Sequence, residues 1–136
     1  GEVAVTRDPE VVARADRIVL PGDGAFPACR AALLAQDGLA EAIAGRVRAG
    51  VPFLGICVGM QMLATRGLEF TQTPGFGWIA GEVARIAAPG LKVPHMGWND
   101  LVIDRRHPVL EGIASGDHAY FVHSYAMRPE DPGDLL

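Results

Sequence analysis

Residues 51–67 read Val-Pro-Phe-Leu-Gly-Ile-Cys-Val-Gly-Met-Gln-Met-Leu-Ala-Thr-Arg-Gly, and this stretch decides the fold. A short apolar run, Val51–Ile56, ends at Cys57, and an apolar helical pattern begins at once with Met60, Leu63 and Ala64. The pattern predicts a strand, a turn that carries a thiol, and a helix over Val58–Arg66. Gly55 and Gly59 stand two residues to either side of the cysteine, which permits a tight, strained turn that lifts the side chain clear of the sheet. A helix starting there aims free N–H groups and a positive dipole end at the sulfur. An unperturbed thiol is only about 3 % thiolate at pH 7, and a helix N-terminus raises that fraction. The same N–H groups can hold the oxyanion formed when a thiolate attacks a carbonyl. A buried cysteine closing a core strand fits the same run; the paired glycines and the immediate helix start weigh toward a nucleophile.

Working outward, Asp8-Pro9-Glu10 supplies an acidic N-cap and a proline at the first position of a short helix running to about Ala15. Glu2–Thr6 is strand-like, and Arg17–Leu20 reads as a short buried strand stopped by Pro21-Gly22. Helices follow over Phe26–Gln36 and Leu39–Ala49, the second with Leu39, Ile43 and Val47 four apart and Gly50 at its stop. Strand and helix alternating in this way imply an α/β doubly wound, mostly parallel sheet. Beyond Gly67 the style changes: residues 77–86, Leu91–Val93, Asp100–Ile103 and Ala119–Ala126 are strand-like, with a helical turn at Pro108–Ile113. This half is expected to add antiparallel edge strands.

The chain has 136 residues, 49 % of them apolar, and a net charge of −4. That is one domain, able to bury roughly two-thirds of its unfolded surface. The acidic balance and the lack of a basic stripe argue against nucleic acid. No run approaches the ~18 apolar residues of a membrane span, and no signal-peptide pattern opens the chain. Cys29 and Cys57 form no spaced framework, so reduced thiols and a cytoplasmic location are the natural reading. The chain opens on Gly1 rather than Met and closes on Asp131–Leu136, so it reads as one domain over 1–136, truncated at both ends.

Pro21-Gly22-Asp23-Gly24 follows the strand before it, and such loops converge with the Cys57 turn on the ligand crevice of an open α/β sheet. A thiol hydrolase needs a base, and four histidines are available. His107 and His118 fall in polar turns. His95 lies in Val93-Pro-His-Met-Gly-Trp-Asn99, read as a loop, and His123 in Tyr120-Phe-Val-His-Ser-Tyr125, where alternation puts Tyr120, Val122 and Ser124 on one side and Phe121, His123 and Tyr125 on the other. Spacing does not choose between His95 and His123. Cys29, among alanines, reads as a packing residue; Trp78 and Trp98 read as half-buried anchors.

Taken together, Leu20-Pro-Gly-Asp-Gly-Ala-Phe26, Phe53-Leu-Gly-Ile-Cys-Val-Gly-Met-Gln61, Thr73-Pro-Gly-Phe-Gly-Trp78, Lys92-Val-Pro-His-Met-Gly-Trp-Asn99 and Tyr120-Phe-Val-His-Ser-Tyr125 resemble the class I glutamine amidotransferases. Within them the closest likeness is to the glutamine amidotransferase subunits of imidazole glycerol phosphate synthase. Gly-Ile-Cys-x-Gly-x-Gln marks the class broadly; Pro-His-Met-Gly-Trp-Asn points to this subunit. The resemblance implies a flavodoxin-like α/β fold and hydrolysis of glutamine through a Cys-His-Glu triad, in histidine biosynthesis. Ammonia then passes to a cyclase subunit of β/α-barrel fold in a heterodimer. It calls for no cofactor and no metal. It implies that Cys57 is the nucleophile, that Val58 with Gly22, Asp23 and Gly24 holds the oxyanion, and that Gln61, His123, Ser124 and Tyr125 bind glutamine. Trp98, Asn99 and Tyr120 match positions near the cyclase contact and ammonia exit. His123 is not the base of that family.

Two departures stand out. Asp23 occupies a place where the family usually has valine. The triad's His and Glu belong to a His-Pro-Glu segment beyond the Tyr120–Tyr125 strand, which this chain does not contain; His107-Pro108-Val109 lacks the glutamate and precedes the strand. The 136 residues alone are therefore expected to be inactive, and a non-catalytic subunit that only docks a partner is the alternative reading.

Overall fold

The computed structural model describes residues 1–136. Helix α1 spans Pro9–Val12, with Asp8 as the expected cap: its carboxylate accepts from Glu10 N–H. Strand β1 (Ile18–Leu20), helices α2 (Phe26–Leu34) and α3 (Leu39–Arg48) and strand β2 (Phe53–Gly55) follow in the predicted order. β1 and β2 pair in parallel, Ile18 opposite Phe53 and Leu20 opposite Gly55. The apolar stripes of α2 and α3 meet in a core of Phe26, Leu33, Leu39, Ala40 and Ile43, which continues through Val58, Met62, Ala64 and Val83, with Leu20 and Phe53 packed against it. The other side of the pair is bare: Val19 and Leu54, adjacent in register, are exposed.

Past Cys57 the chain departs from expectation. Helix α4 covers only Val58–Gln61, and Ala64–Gly67 is strand β3 rather than more helix. Thr65 and Arg66 sit outside any buried helical face, and the segment instead gains a ladder, parallel to β5 (Ile79–Arg85) and antiparallel to β4 (Thr73–Pro74). β5 also pairs antiparallel with β8 (Tyr125–Pro129), giving the sheet order β4-β3-β5-β8. A third sheet is the antiparallel pair β6 (His95–Asp100) and β7 (His118–His123). The mixed α/β class stands: β4 and β8 are antiparallel edge strands on the parallel pair β3–β5, and β6–β7 is an antiparallel sheet of its own.

Other local expectations are corrected in the same region. Glu2–Thr6 forms no strand; Val3 and Val5 are fully exposed and unpaired. Leu91–Val93 is irregular and forms no strand. The segment read as a loop from His95 is strand β6, which ends at Asp100 where the sequence placed a strand start. The strand expected over Ala119–Ala126 is two, β7 and β8, with Ser124 between them. A 3₁₀ turn occupies Pro108–Leu110, as anticipated.

Candidate active site

Cys57 joins β2 to α4 with φ 55° and ψ −120°, a conformation that costs a non-glycine residue about 1–3 kcal/mol and persists only where its surroundings impose it. Those surroundings are backbone. A Cβ on Gly55 would come within 2.6 Å of Met60 Cα, and one on Gly22 within 2.6 Å of Gly59 N; one on Gly59 would strike the Leu20 carbonyl oxygen. The glycines therefore act here by allowing close approach, and the Pro21–Gly24 loop lies directly against the start of α4. The thiol is free and exposed. Gly59 N–H closes on Ile56 O, and Met60 and Gln61 N–H on Cys57 O, each at 3.0 Å. The amide next to the sulfur outside that set is Val58's. Because α4 is one turn long, the expected dipole gives way to individual amides as the electrostatic resource of this turn.

In the facing loop, Gly24 has φ 105°, and the Asp23 carbonyl accepts a hydrogen bond from Cys29 Sγ at 3.2 Å. Burial pushes the Cys29 thiol above its ordinary pKa, so the donor form is retained. Cys29 does border the core, as its alanine-rich setting predicts, but it also ties the loop. Ala25 at the N-cap of α2 offers no side-chain acceptor, and Glu69 Oε2 takes Phe26 N–H instead, at 2.8 Å across 43 residues. The uncapped alanine was the one sequence signal that a remote acceptor had to exist.

Gln61, Ser124, Tyr125 and His123 are brought together. Gln61 is buried, and its Nε2 donates to the Tyr125 carbonyl at 3.3 Å. The same carbonyl lies 3.0 Å from His123 Nδ1. Ser124 between them accepts from Ile86 N–H at 2.9 Å, which pins this corner to the end of β5. His123 Nε2 in turn lies 2.9 Å from His95 Nδ1, and the two residues face each other in the β6–β7 register. The two histidines that spacing could not separate are thus a bonded pair, and no hydrogen bond joins either to Cys57. His107 Nδ1 accepts from Val109 N–H, and His118 is exposed.

The opposite face of the β6–β7 pair is apolar and open. Met96, Trp98, Tyr120 and Val122 are each more than half exposed, and Trp98 and Tyr120 meet edge-on at 5.5 Å. Trp98 is therefore not the half-buried anchor that the sequence suggested, whereas Trp78 stacks on Phe76 at 4.3 Å and packs on the core. Asn99 stands beside them, paired with Ala119. No helix is long and apolar enough to cross a membrane.

A family model described as "Glutamine amidotransferase class-I" matches residues 4–135. The chain is 72 % identical over 139 aligned positions to the imidazole glycerol phosphate synthase subunit HisH of Cereibacter sphaeroides, covering all of this chain and 66 % of that protein. It is 60 % identical to the protein of the same name from Ruegeria pomeroyi, again over 66 % of its length. With the one from Granulibacter bethesdensis it shares 53 % identity over 64 % of its length. The chain thus spans just under two thirds of these relatives.

Proposed function

The chain belongs to the class-I glutamine amidotransferase family, and from that membership we propose that it is the nucleophile-bearing part of a glutamine amidotransferase subunit of imidazole glycerol phosphate synthase. The observation that carries the reading is the strained, exposed Cys57 at the crossing of β2, α4 and the Pro21–Gly24 loop. Cys57 Sγ attacks the carbonyl carbon of the glutamine side-chain amide, and the oxyanion rests on Val58 N–H together with an amide of the Gly22-Asp23-Gly24 loop. The carbon–nitrogen bond then breaks, the nitrogen leaves with an added proton as ammonia, and water releases glutamate from the thioester. The glutamine amino-acid end lies against Gln61 and the His123-Ser124-Tyr125 corner.

The base that takes the thiol proton is assigned to the third of the relatives' length that this chain does not span. The histidines here are engaged with one another, with a cap, or with solvent. The 136 residues alone are accordingly inactive in this reading. Ammonia is delivered to a cyclase subunit of β/α-barrel fold, in the cytoplasm, for histidine biosynthesis. The exposed face of Met96, Trp98, Tyr120 and Val122, with Asn99 at its edge, is the docking surface: an aromatic patch of this kind suits a protein interface.

The test is made on the full-length subunit with its cyclase. Cys57→Ala abolishes ammonia release from glutamine, and an electrophilic glutamine analogue labels Cys57. Labelling at Cys29 with Cys57 spared would overturn the assignment.

A further inference from the structure

The β6–β7 pair carries a hydrogen-bond chain whose proton positions follow from its end. The Tyr125 carbonyl can only accept, so His123 Nδ1, 3.0 Å away, carries a proton. A neutral His123 then has its lone pair on Nε2, and His95 Nδ1, at 2.9 Å, must be the donor to it. The same Tyr125 carbonyl accepts from Gln61 Nε2 at 3.3 Å, which turns Gln61 Oε1 away from that bond and leaves it to accept from a ligand. The whole chain runs His95 to His123 to Tyr125 O, and from Gln61 to the same oxygen, one helical turn from Cys57.

We propose that His95 is a positioning residue for the glutamine site, acting through the His123 tautomer on the Tyr125 carbonyl and so on the Gln61 amide. The proposal rests on the reading of Cys57 and Gln61 given above. Its place in the fold supports it. His95 is half-buried on the inward face of β6, its ring stacks on Phe121 at 5.1 Å and 24°, and Phe121 faces Gly97 in the cross-strand register. His95 and His123 together border a groove of about 510 Å³ with Lys92 and Met96. Stacking fixes the ring plane of His95, and the cross-strand register aims its Nδ1 at His123. Without that donor, His123 Nε2 loses its partner, the opposite tautomer becomes accessible, and Nδ1–H no longer holds the Tyr125 carbonyl.

A hydrogen bond of this kind corresponds to roughly 5-fold in an equilibrium constant. In the full-length subunit with its cyclase, His95→Phe keeps the stacking and removes the donor. It should raise KM for glutamine about 5-fold while kcat stays within about 2-fold, since ground state and transition state lose the same binding. His95→Asn places an amide N–H where Nδ1 stood and should restore KM. The ¹⁵N imidazole spectrum should show His123 as the Nδ1–H tautomer in the native protein and in His95→Asn, and as a mixture in His95→Phe. If His95→Phe fails to fold, His95→Leu is read by the same spectrum. An unchanged KM and tautomer, an equal rise in KM in the Asn and Phe variants, or a fall in kcat alone would each overturn the proposal. Cys57→Ala keeps the two readings apart: a Cys57→Ala enzyme that still released ammonia would sink the site assignment itself, whereas an inactive Cys57→Ala beside an unaffected His95→Phe would sink only the role of His95.

Discussion

The turn at Cys57 and the β6–β7 pair are held in place by different means. At the turn, backbone meets backbone: Leu20 O, Gly22 and Gly59 approach too closely for any side chain to intervene, and Val58, Gln61 and Met62 beneath them are almost wholly buried. The β6–β7 pair is a separate two-stranded sheet with one apolar face open to solvent. Side-chain hydrogen bonds through His123 connect its inward face to the Tyr125 corner. A site fixed by backbone contact leaves its sequence no freedom, since nothing can be moved aside. A site fixed by side chains can be altered one bond at a time, with recognition changing before stability does.

Gly59→Ala is the most damaging way to test that contrast. Its Cβ would collide with the Leu20 carbonyl, a backbone atom held by the Ile56 N–H bond at 3.0 Å, so the strand and the Cys57 turn must part. We expect a loss of about 3 kcal/mol or more, against a total stability of roughly 5–15 kcal/mol. Chemical denaturation of the full-length subunit measures it. Gly97→Ala in β6 meets open space and suffers only from its φ of 148°, which costs about 1–2 kcal/mol. Equal losses for the two variants would erase the distinction between the regions.

Trp98→Ala addresses the open face. Trp98 is 69 % exposed and touches Tyr120 at 5.5 Å, so its loss should change the stability of the subunit by no more than about 0.5 kcal/mol. A central aromatic at an interface is worth about 2 kcal/mol or more, and affinity for the cyclase should fall at least 30-fold by titration calorimetry. A destabilised subunit with undiminished affinity would make this face part of the fold and not a docking surface.

The regions also differed in how readable they were. The Cys57 turn was legible because its demands are local: an apolar run, two glycines at fixed offsets and a helix start all lie within nine residues. α1, α2 and α3 were legible for the same reason, through caps and four-residue periodicity. The length of α4 was not, because Ala64–Gly67 is drawn into a ladder by Ile79–Val83, partners about 15 residues further on. The inward and outward faces of β7 followed from simple alternation, but β6 did not, since Pro94, Gly97 and Asn99 disguise a strand that exists through pairing with β7. Among site residues, Gln61 was singled out by the family resemblance, as the last residue of Gly-Ile-Cys-x-Gly-x-Gln. The pairing of His95 with His123, the capping of Phe26 by Glu69 and the bond from Cys29 to Asp23 span 28, 43 and 6 residues. No periodicity encodes such contacts.

Cys29 carries the smallest expected effect and marks the boundary between the two kinds of control. Its thiol ties the Asp23 carbonyl in a loop that is otherwise fixed by the Gly22–Gly59 approach. Cys29→Ala should therefore lower ammonia release only about 2- to 5-fold, the scale of one weak hydrogen bond. The pH dependence gives the sharper signature. Burial raises the Cys29 pKa, so the folded state favours the protonated thiol more than the unfolded chain does. The resulting stability is fully present below the unfolded thiol's pKa and declines as pH rises through that value toward the folded one. The native subunit should thus lose stability relative to Cys29→Ala on the alkaline side alone, as the thiolate forfeits its bond and faces the carbonyl it once held. Denaturation midpoints of the two proteins measured from neutral into alkaline solution should converge with rising pH. A constant difference across that range would show that burial does not hold Cys29 in its thiol form.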